Sequence, residues 1–450
     1  MRKSVILIVM VIVISVFSPI TAVALSFEPD FVPESDGIYM VNTDTDTVVY
    51  QKNADKKMYP ASTTKILTAI LAIENVKDLQ TEVTYPLYIQ DQVSAINYAE
   101  YGGALSTAGL LGGEVLTMEK LLYGAMLPSG NECAYIIADY VGGGSVDKFV
   151  EMMNAKAKEL GATNSNFVNP AGLSNENHYT TPHDMYLIAK YAMQNDIFRK
   201  IVSTTTLDGG PTNMHEELRW NNTNMLINST SPYYYSPVKG IKTGTLDSAG
   251  RCFVSLAQKD GFEYIMVVFG APIYDDEGKP LPNNMAFVET TKLYKWAFST
   301  FSIKSILDQG DLKDEIPLRL AKGQKDHLKL MCGESYSALL PENVDADSFQ
   351  LISKLPESVD APIAEGDKVG ELKLMLAAEE VGSIPLVSAE TVDRSAFLFV
   401  LDSIHKVLGS FGFKFLIVLT ILLVIAYIWI TIIRNRNRMK YRSVRRRRNL

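Results

Sequence analysis

Four serines in this 450-residue chain stand three residues ahead of a lysine: Ser62, Ser145, Ser236 and Ser403. A serine hydroxyl becomes a good nucleophile only when a nearby base takes its proton, and at this spacing a lysine amine shares one helical face with it. Four occurrences show how cheaply the pattern arises, so context must separate them. Ser145 follows Gly142-Gly143-Gly144 and reads as a helix cap with Lys148 in solvent. Pro237 stands between Ser236 and Lys239 on the approach to a strand, and Ser403 and Lys406 lie beside a C-terminal apolar run. Ser62-Thr63-Thr64-Lys65 follows Pro60-Ala61 and opens a segment apolar at Ile66, Leu67, Ala69, Ile70, Leu71 and Ile73. That segment predicts a largely buried helix with Ser62 at its N-terminus, where backbone N–H groups and the helix dipole suit a developing oxyanion.

Two further motifs follow in order, Ser129-Gly130-Asn131 and Lys242-Thr243-Gly244, the latter continuing into Thr245. Together they supply what acyl transfer through a serine requires. Lys65 can act as base once neutral, and burial plus the charge of Lys242 would lower its pKa toward that state. Ser129 can relay a proton to a leaving amine, and Asn131 can hold a peptide. Lys242 and Thr243 suit a terminal carboxylate, Gly244 permits close approach of the strand, and the Thr245 N–H can complete an oxyanion hole. A zinc site built on His178 and His183 is disfavoured, because Pro182 interrupts the segment and no third ligand follows. Cys133, Cys252 and Cys332 are odd in number and widely spaced, so neither a disulfide framework nor a metal-binding pair is expected. No metal and no organic cofactor is implied.

The ordered trio resembles the serine penicillin-recognising enzymes and, more narrowly, the low-molecular-mass D-alanyl-D-alanine carboxypeptidases of the penicillin-binding protein 5 type. The resemblance rests on Tyr59-Pro-Ala-Ser-Thr-Thr-Lys65, Met126-Leu-Pro-Ser-Gly-Asn-Glu132, Phe167-Val-Asn-Pro-Ala-Gly-Leu173 and Gly240-Ile-Lys-Thr-Gly-Thr245, and spans roughly residues 35 to 390. It implies Ser62 as acylated nucleophile, Lys65 as base and Ser129 as proton relay, with Asn131 and Lys242 to Thr245 binding substrate. The implied substrate is a peptidoglycan stem peptide ending in D-Ala-D-Ala, and β-lactams are implied covalent inhibitors. Glu132 stands where the family often has Asp, and Ala171 where many members have His. A β-lactamase of the same superfamily is a weaker reading, because Thr163 to Phe167 carries no acid; a transpeptidase and a catalytically idle scaffold remain alternatives.

Elements must hold these residues together. Helical patterns (62–74, 118–127, 133–141 and a helix capped by Thr181 with Pro182 and Asp184) mix with strand-like runs at 37–42, 48–51, 251–258 and 264–271. This predicts a mixed α/β catalytic domain with an antiparallel sheet over residues 25–300, then a small all-β domain over 301–390. Residues 391–414 read as a juxtamembrane linker with amphipathic spacing. At the start, residues 1–24 read as a secretory signal peptide. Residues 415–433 are uncharged and long enough to span a bilayer, and the basic tail 434–450 predicts a cytoplasmic C-terminus with the catalytic part outside. The formal net charge of −8 conceals nine basic residues in that tail and two near the start; the chain between carries −19, which argues against a nucleic-acid partner.

Overall fold

The computed structural model describes residues 28–376 and 379–447, with side chains placed as far as residue 436 apart from that of residue 379. The expected export signal, residues 1–24, and the last residues of the basic tail lie outside these. The chain forms two compact units, one running to Lys304 and taking in Ala338–Val344, the other comprising Ser305–Ser337 and the residues from Asp345 onward.

The first unit is built on a five-stranded antiparallel sheet. Its strands are β1 (Gly37–Asn42), β2 (Thr47–Lys52), β3 (Val238–Leu246), β4 (Gly250–Lys259) and β5 (Phe262–Ala271), in the order β2-β1-β5-β4-β3. β3 therefore forms one edge of the sheet, with β4 as its neighbour. Strands covered on both faces lose the polar alternation of half-exposed ones. Tyr264-Ile-Met-Val-Val-Phe269 is such a run, and all six residues are buried. Ile265, Val267 and Phe269 face a core shared with α1 (Lys65–Asn75), α2 (Met118–Met126), α3 (Asn131–Val141) and α4 (Pro182–Ala192). Tyr264, Met266 and Val268 face the other way, onto α5 (Met285–Thr300). Each fully buried side chain of this kind contributes about 1.5–3 kcal/mol.

α1 is buried from Lys65 through Ala72, so a nearly all-apolar helix ends up central, as such helices must. The Thr181 side chain accepts from Asp184 N at 3.0 Å, with Pro182 in the first turn of α4. Helix Leu87–Tyr101 and the hairpin pairing Thr206–Gly210 with Leu218–Asn221 complete this side of the unit. Their polar, weakly periodic sequences gave no clear signal.

In the second unit, six strands form one sheet in the spatial order 350–354, 368–376, 379–388, 327–332, 312–319 and 359–360. All neighbours are antiparallel except the last pair, Leu318–Arg319 with Val359–Asp360. Period-two burial is plain in His327–Cys332, where Leu328, Leu330 and Cys332 are buried. Helix α6 (Ala396–Gly409) is capped by the Ser395 side chain, and its Asp402 Oδ1 accepts from Arg319 Nη2 at 2.9 Å. Helix α7 (Phe411–Arg447) contains the apolar stretch Phe411–Arg436, with a mean hydropathy of 3.0 at its richest. Among the described residues it is the one helix long and apolar enough to cross a membrane. The helix continues past the apolar stretch at its C-terminal end, through the basic residues as far as Arg447.

Candidate active site

Ser62 lies in a 3-10 turn, Ala61–Thr64, that runs directly into α1. The sequence placed Ser62 at an α-helical N-terminus, but the structure makes Lys65 the first α-helical residue. The tighter turn brings positions i and i+3 into eclipse, so it aligns Ser62 with Lys65 more directly than an α-turn does. Ala61 has φ +47°, a left-handed conformation costly for a residue with a Cβ. Gly172 packs hard against this turn: a Cβ there would sit 1.8 Å from Ala61 O.

Lys65 is fully buried and donates from Nζ to Ser62 Oγ at 2.9 Å, Asn131 Oδ1 at 2.8 Å and Ala171 O at 2.9 Å. Three acceptors satisfy all three hydrogens of an ammonium. Burial nevertheless pushes its pKa down to about 7, against the opposing influence of the Glu132 carboxylate. Near neutral pH a large share of Lys65 is therefore the free amine, whose lone pair can take the Ser62 proton. Lys242, on β3, is also buried; burial and then the charge of Lys65 hold it well below the usual lysine range. Sequence reasoning made Lys242 a cause of the Lys65 shift. Burial is the main cause for both, and repulsion between the two ammonium groups acts in the same direction.

Ser129 occupies the short link between α2 and α3 with φ +67°. It is 4% exposed, and its Oγ has no hydrogen-bond partner among the described residues. Such a buried hydroxyl is costly unless a ligand or water meets it. Asn131, the first residue of α3, donates from N at 3.1 Å and from Nδ2 at 2.9 Å to Ser106 O. That fixes its amide orientation and leaves Oδ1 for Lys65. The next residue, Glu132, accepts from Thr107 Oγ1 at 2.5 Å, Ala108 N at 2.6 Å and Gly109 N at 3.0 Å. It thereby secures the loop bearing Ser106.

On β3, Lys242 Nζ donates to Thr243 O at 3.0 Å, and the Thr243 and Thr223 hydroxyls lie 2.6 Å apart. A Cβ on Gly244 would come within 3.0 Å of Ser62 N, so only glycine lets the strand approach the serine this closely. Thr245 follows, with an exposed side chain. The outer edge of β3 offers backbone groups to which an extended peptide can add as another strand.

Ser62, Lys65 and Asn131 are thus in direct contact, and Gly244 packs on Ser62. Four contributors escaped the sequence reading. Ala171 acts through its backbone carbonyl, which side-chain identity cannot reveal. Thr223 lies 20 residues from Thr243 and reaches it only through folding. Glu132 stood out only as a residue where the family often has Asp, yet it braces the site loop and its charge acts on Lys65. His178 donates from Nε2 to Thr64 Oγ1 at 2.9 Å, because Nδ1 is occupied accepting from Val168 N; burial drives its pKa down to about 3. A signal for the loop was present in Asn169-Pro-Ala-Gly-Leu173. Asn169 Oδ1 accepts from the N–H groups of Ala171, Gly172 and Leu173, a turn-forming role typical of Asn.

Residues 28–273 match the family model described as D-alanyl-D-alanine carboxypeptidase, and residues 301–394 match that of the penicillin-binding protein 5 C-terminal domain. The D-alanyl-D-alanine carboxypeptidase DacF of Bacillus subtilis is 29% identical over 81% of this chain and 87% of its own length. The crystal structure of penicillin-binding protein 5 from Haemophilus influenzae shares the fold, with a TM-score of 0.62, 23% identity and coverage of 82% of this chain and all of that one. That of the Streptomyces K15 DD-transpeptidase has a TM-score of 0.52 and 32% identity, covering 60% of this chain and 98% of that one. A buried lysine on a serine, a bare serine hydroxyl and a glycine-paved strand edge sit inside the matched region, and the chain belongs to the D-alanyl-D-alanine carboxypeptidase family, peptidase S11.

Proposed function

We propose that the chain removes the terminal D-alanine from peptidoglycan stem peptides through a covalent ester on Ser62. The observation that carries this reading is the fully buried Lys65 Nζ lying 2.9 Å from Ser62 Oγ. Neutral Lys65 takes the hydroxyl proton as Oγ attacks the carbonyl between the two D-alanines. Backbone N–H groups of Ser62 and Thr245 hold the oxyanion. The proton passes from Lys65 through the Ser129 hydroxyl to the departing nitrogen, the C–N bond breaks, and D-alanine leaves as the free amine. Water, deprotonated by the same lysine, then cleaves the ester and restores Ser62. The substrate carboxylate rests on Lys242, Thr243 and Thr223. Its negative charge favours the ammonium form of Lys242.

A β-lactam presents a carboxylate and a reactive amide in the same relation and acylates Ser62 likewise. We further propose that α7 anchors the enzyme as a single pass, with the catalytic unit outside the cell and the basic tail in the cytoplasm. The uncharged run 415–433 and the arginines after it support that orientation. A transpeptidase reading, in which an amine replaces water as acceptor, draws on the Streptomyces K15 structure. The test is D-alanine release from a diacetylated Lys-D-Ala-D-Ala peptide by wild type and Ser62→Ala, with mass spectrometry of the penicillin adduct. Release and adduct that both vanish in the variant support the reading. An adduct with no D-alanine released unless an amine acceptor is added favours the transpeptidase, and the absence of both in wild type removes the proposal.

A further inference from the structure

Beside the site lies a cavity of about 410 Å³ whose lining includes Tyr59, Ser248, Asp247, Asp36, Lys56 and Tyr274. Its place follows from the fold. It sits where β3 ends, β4 begins and β5 ends, next to Tyr59 at the entry to the Ser62 turn. Resting on the reading above, the direction of the bound peptide is fixed. The carboxylate end lies at Lys242 and Thr243, and the reacting carbonyl lies further along at Thr245. A peptide added to the β3 edge therefore runs antiparallel to it. The residue before the two D-alanines comes alongside Leu246 and Asp247, at the mouth of the cavity. Ser248 belongs to the cavity lining, and its Oγ lies 3.1 Å from the Oγ of Ser174, two residues after the Gly172 that packs on the Ser62 turn.

The charges lining this cavity do not balance. Asp36 and Asp247 supply two carboxylates against the single ammonium of Lys56. Lys56 lies 4.0 Å from Asp36, with both side chains more than half exposed. Among the described residues Asp247 meets no cation closely; its Oδ1 accepts a long hydrogen bond from Tyr274 OH at 3.4 Å. The loop after Tyr274 adds exposed Asp275, Asp276 and Glu277 against Lys279. We infer that this cavity is a subsite for the side chain of the third residue from the peptide's C-terminus, and that it selects an amine-bearing side chain through Asp247 and Asp36. The substrate class is thereby narrowed to stems whose diamino acid keeps its side-chain ammonium free.

The full-length enzyme in detergent would be assayed for D-alanine release from two peptides, Nα-acetyl-L-Lys-D-Ala-D-Ala and its Nα,Nε-diacetyl counterpart. At low ionic strength kcat/KM favours the free amine by about fivefold, the upper range for a partly exposed ion pair, and added salt erodes the preference. In Asp247→Asn combined with Asp36→Asn the ratio falls to about one. A ratio is insensitive to how much of a variant folds. Asp247→Lys inverts the preference, favouring an Nε-succinyl peptide. Equal use of the two peptides by wild type, or a preference untouched by these substitutions, overturns the inference while leaving the carboxypeptidase intact. Release from neither peptide, with no penicillin adduct on Ser62, overturns the underlying reading and the subsite with it.

Discussion

Replacing Glu132 with glutamine should move the pH profile of acylation, in a direction that the site geometry fixes. Glu132 is the principal group favouring the charged form of Lys65, whose pKa burial has brought down to about 7. The amide oxygen of glutamine can still accept from Thr107, Ala108 and Gly109, so the loop keeps its anchor while the negative charge disappears. Losing an attractive charge near a buried ammonium lowers its pKa by about one unit. Acylation needs the neutral amine, so its rate climbs with pH up to the Lys65 pKa and then levels. At about pH 6, a tenth of Lys65 is neutral in wild type and about half in Glu132→Gln, giving roughly fivefold faster acylation. The assay is the second-order rate of fluorescent penicillin attachment between about pH 5 and 9, fitted for its midpoint. A midpoint that stays put, or moves up, would refute the claim that neutral Lys65 is the base.

Gly244→Ala places a Cβ 3.0 Å from Ser62 N, so either β3 or the Ser62 turn must retreat. A displacement of a few tenths of an ångström should lower penicillin acylation by about tenfold, with a modest loss of stability seen by thermal melting. Thr223→Val removes the hydroxyl 2.6 Å from Thr243 Oγ1 and should raise KM for carboxylate-ended peptides by about tenfold, leaving kcat nearly unchanged in steady-state kinetics. His178 is buried and neutral, with its pKa depressed from 6.5 to about 3, so the unfolded chain binds the proton more readily. Its contribution to stability is complete above pH 6.5 and erodes as pH falls toward 3. Urea midpoints should therefore decline over that range, and less steeply in His178→Gln.

The strands at 37–42, 251–258 and 264–271 and the helices at 118–127 and 133–141 were legible because burial imposes a clear period or a continuous apolar run on them. Helix Leu87–Tyr101 was not, since most of its residues are exposed and its composition is mixed. Ser62, Lys65, Ser129, Asn131 and Lys242 to Thr245 stood out because their chemistry is unusual in combination and their order is fixed along the chain. Lys65 could be named as a candidate base, but its free-amine character comes from tertiary burial.

What the sequence by itself determined is the set of candidate reactive groups, their order, and the apolar patterns that build the sheet, α1 and the apolar helix α7. Only the tertiary structure decided how those groups act. It set Ser62 in a 3-10 turn, left the Ser129 hydroxyl without a partner among the described residues, and brought Ala171 O and Thr223 to the site from distant segments. The reason is physical: residue types and spacing record local preference, whereas desolvation, backbone carbonyl acceptors and contacts between remote loops arise only when the chain closes on itself.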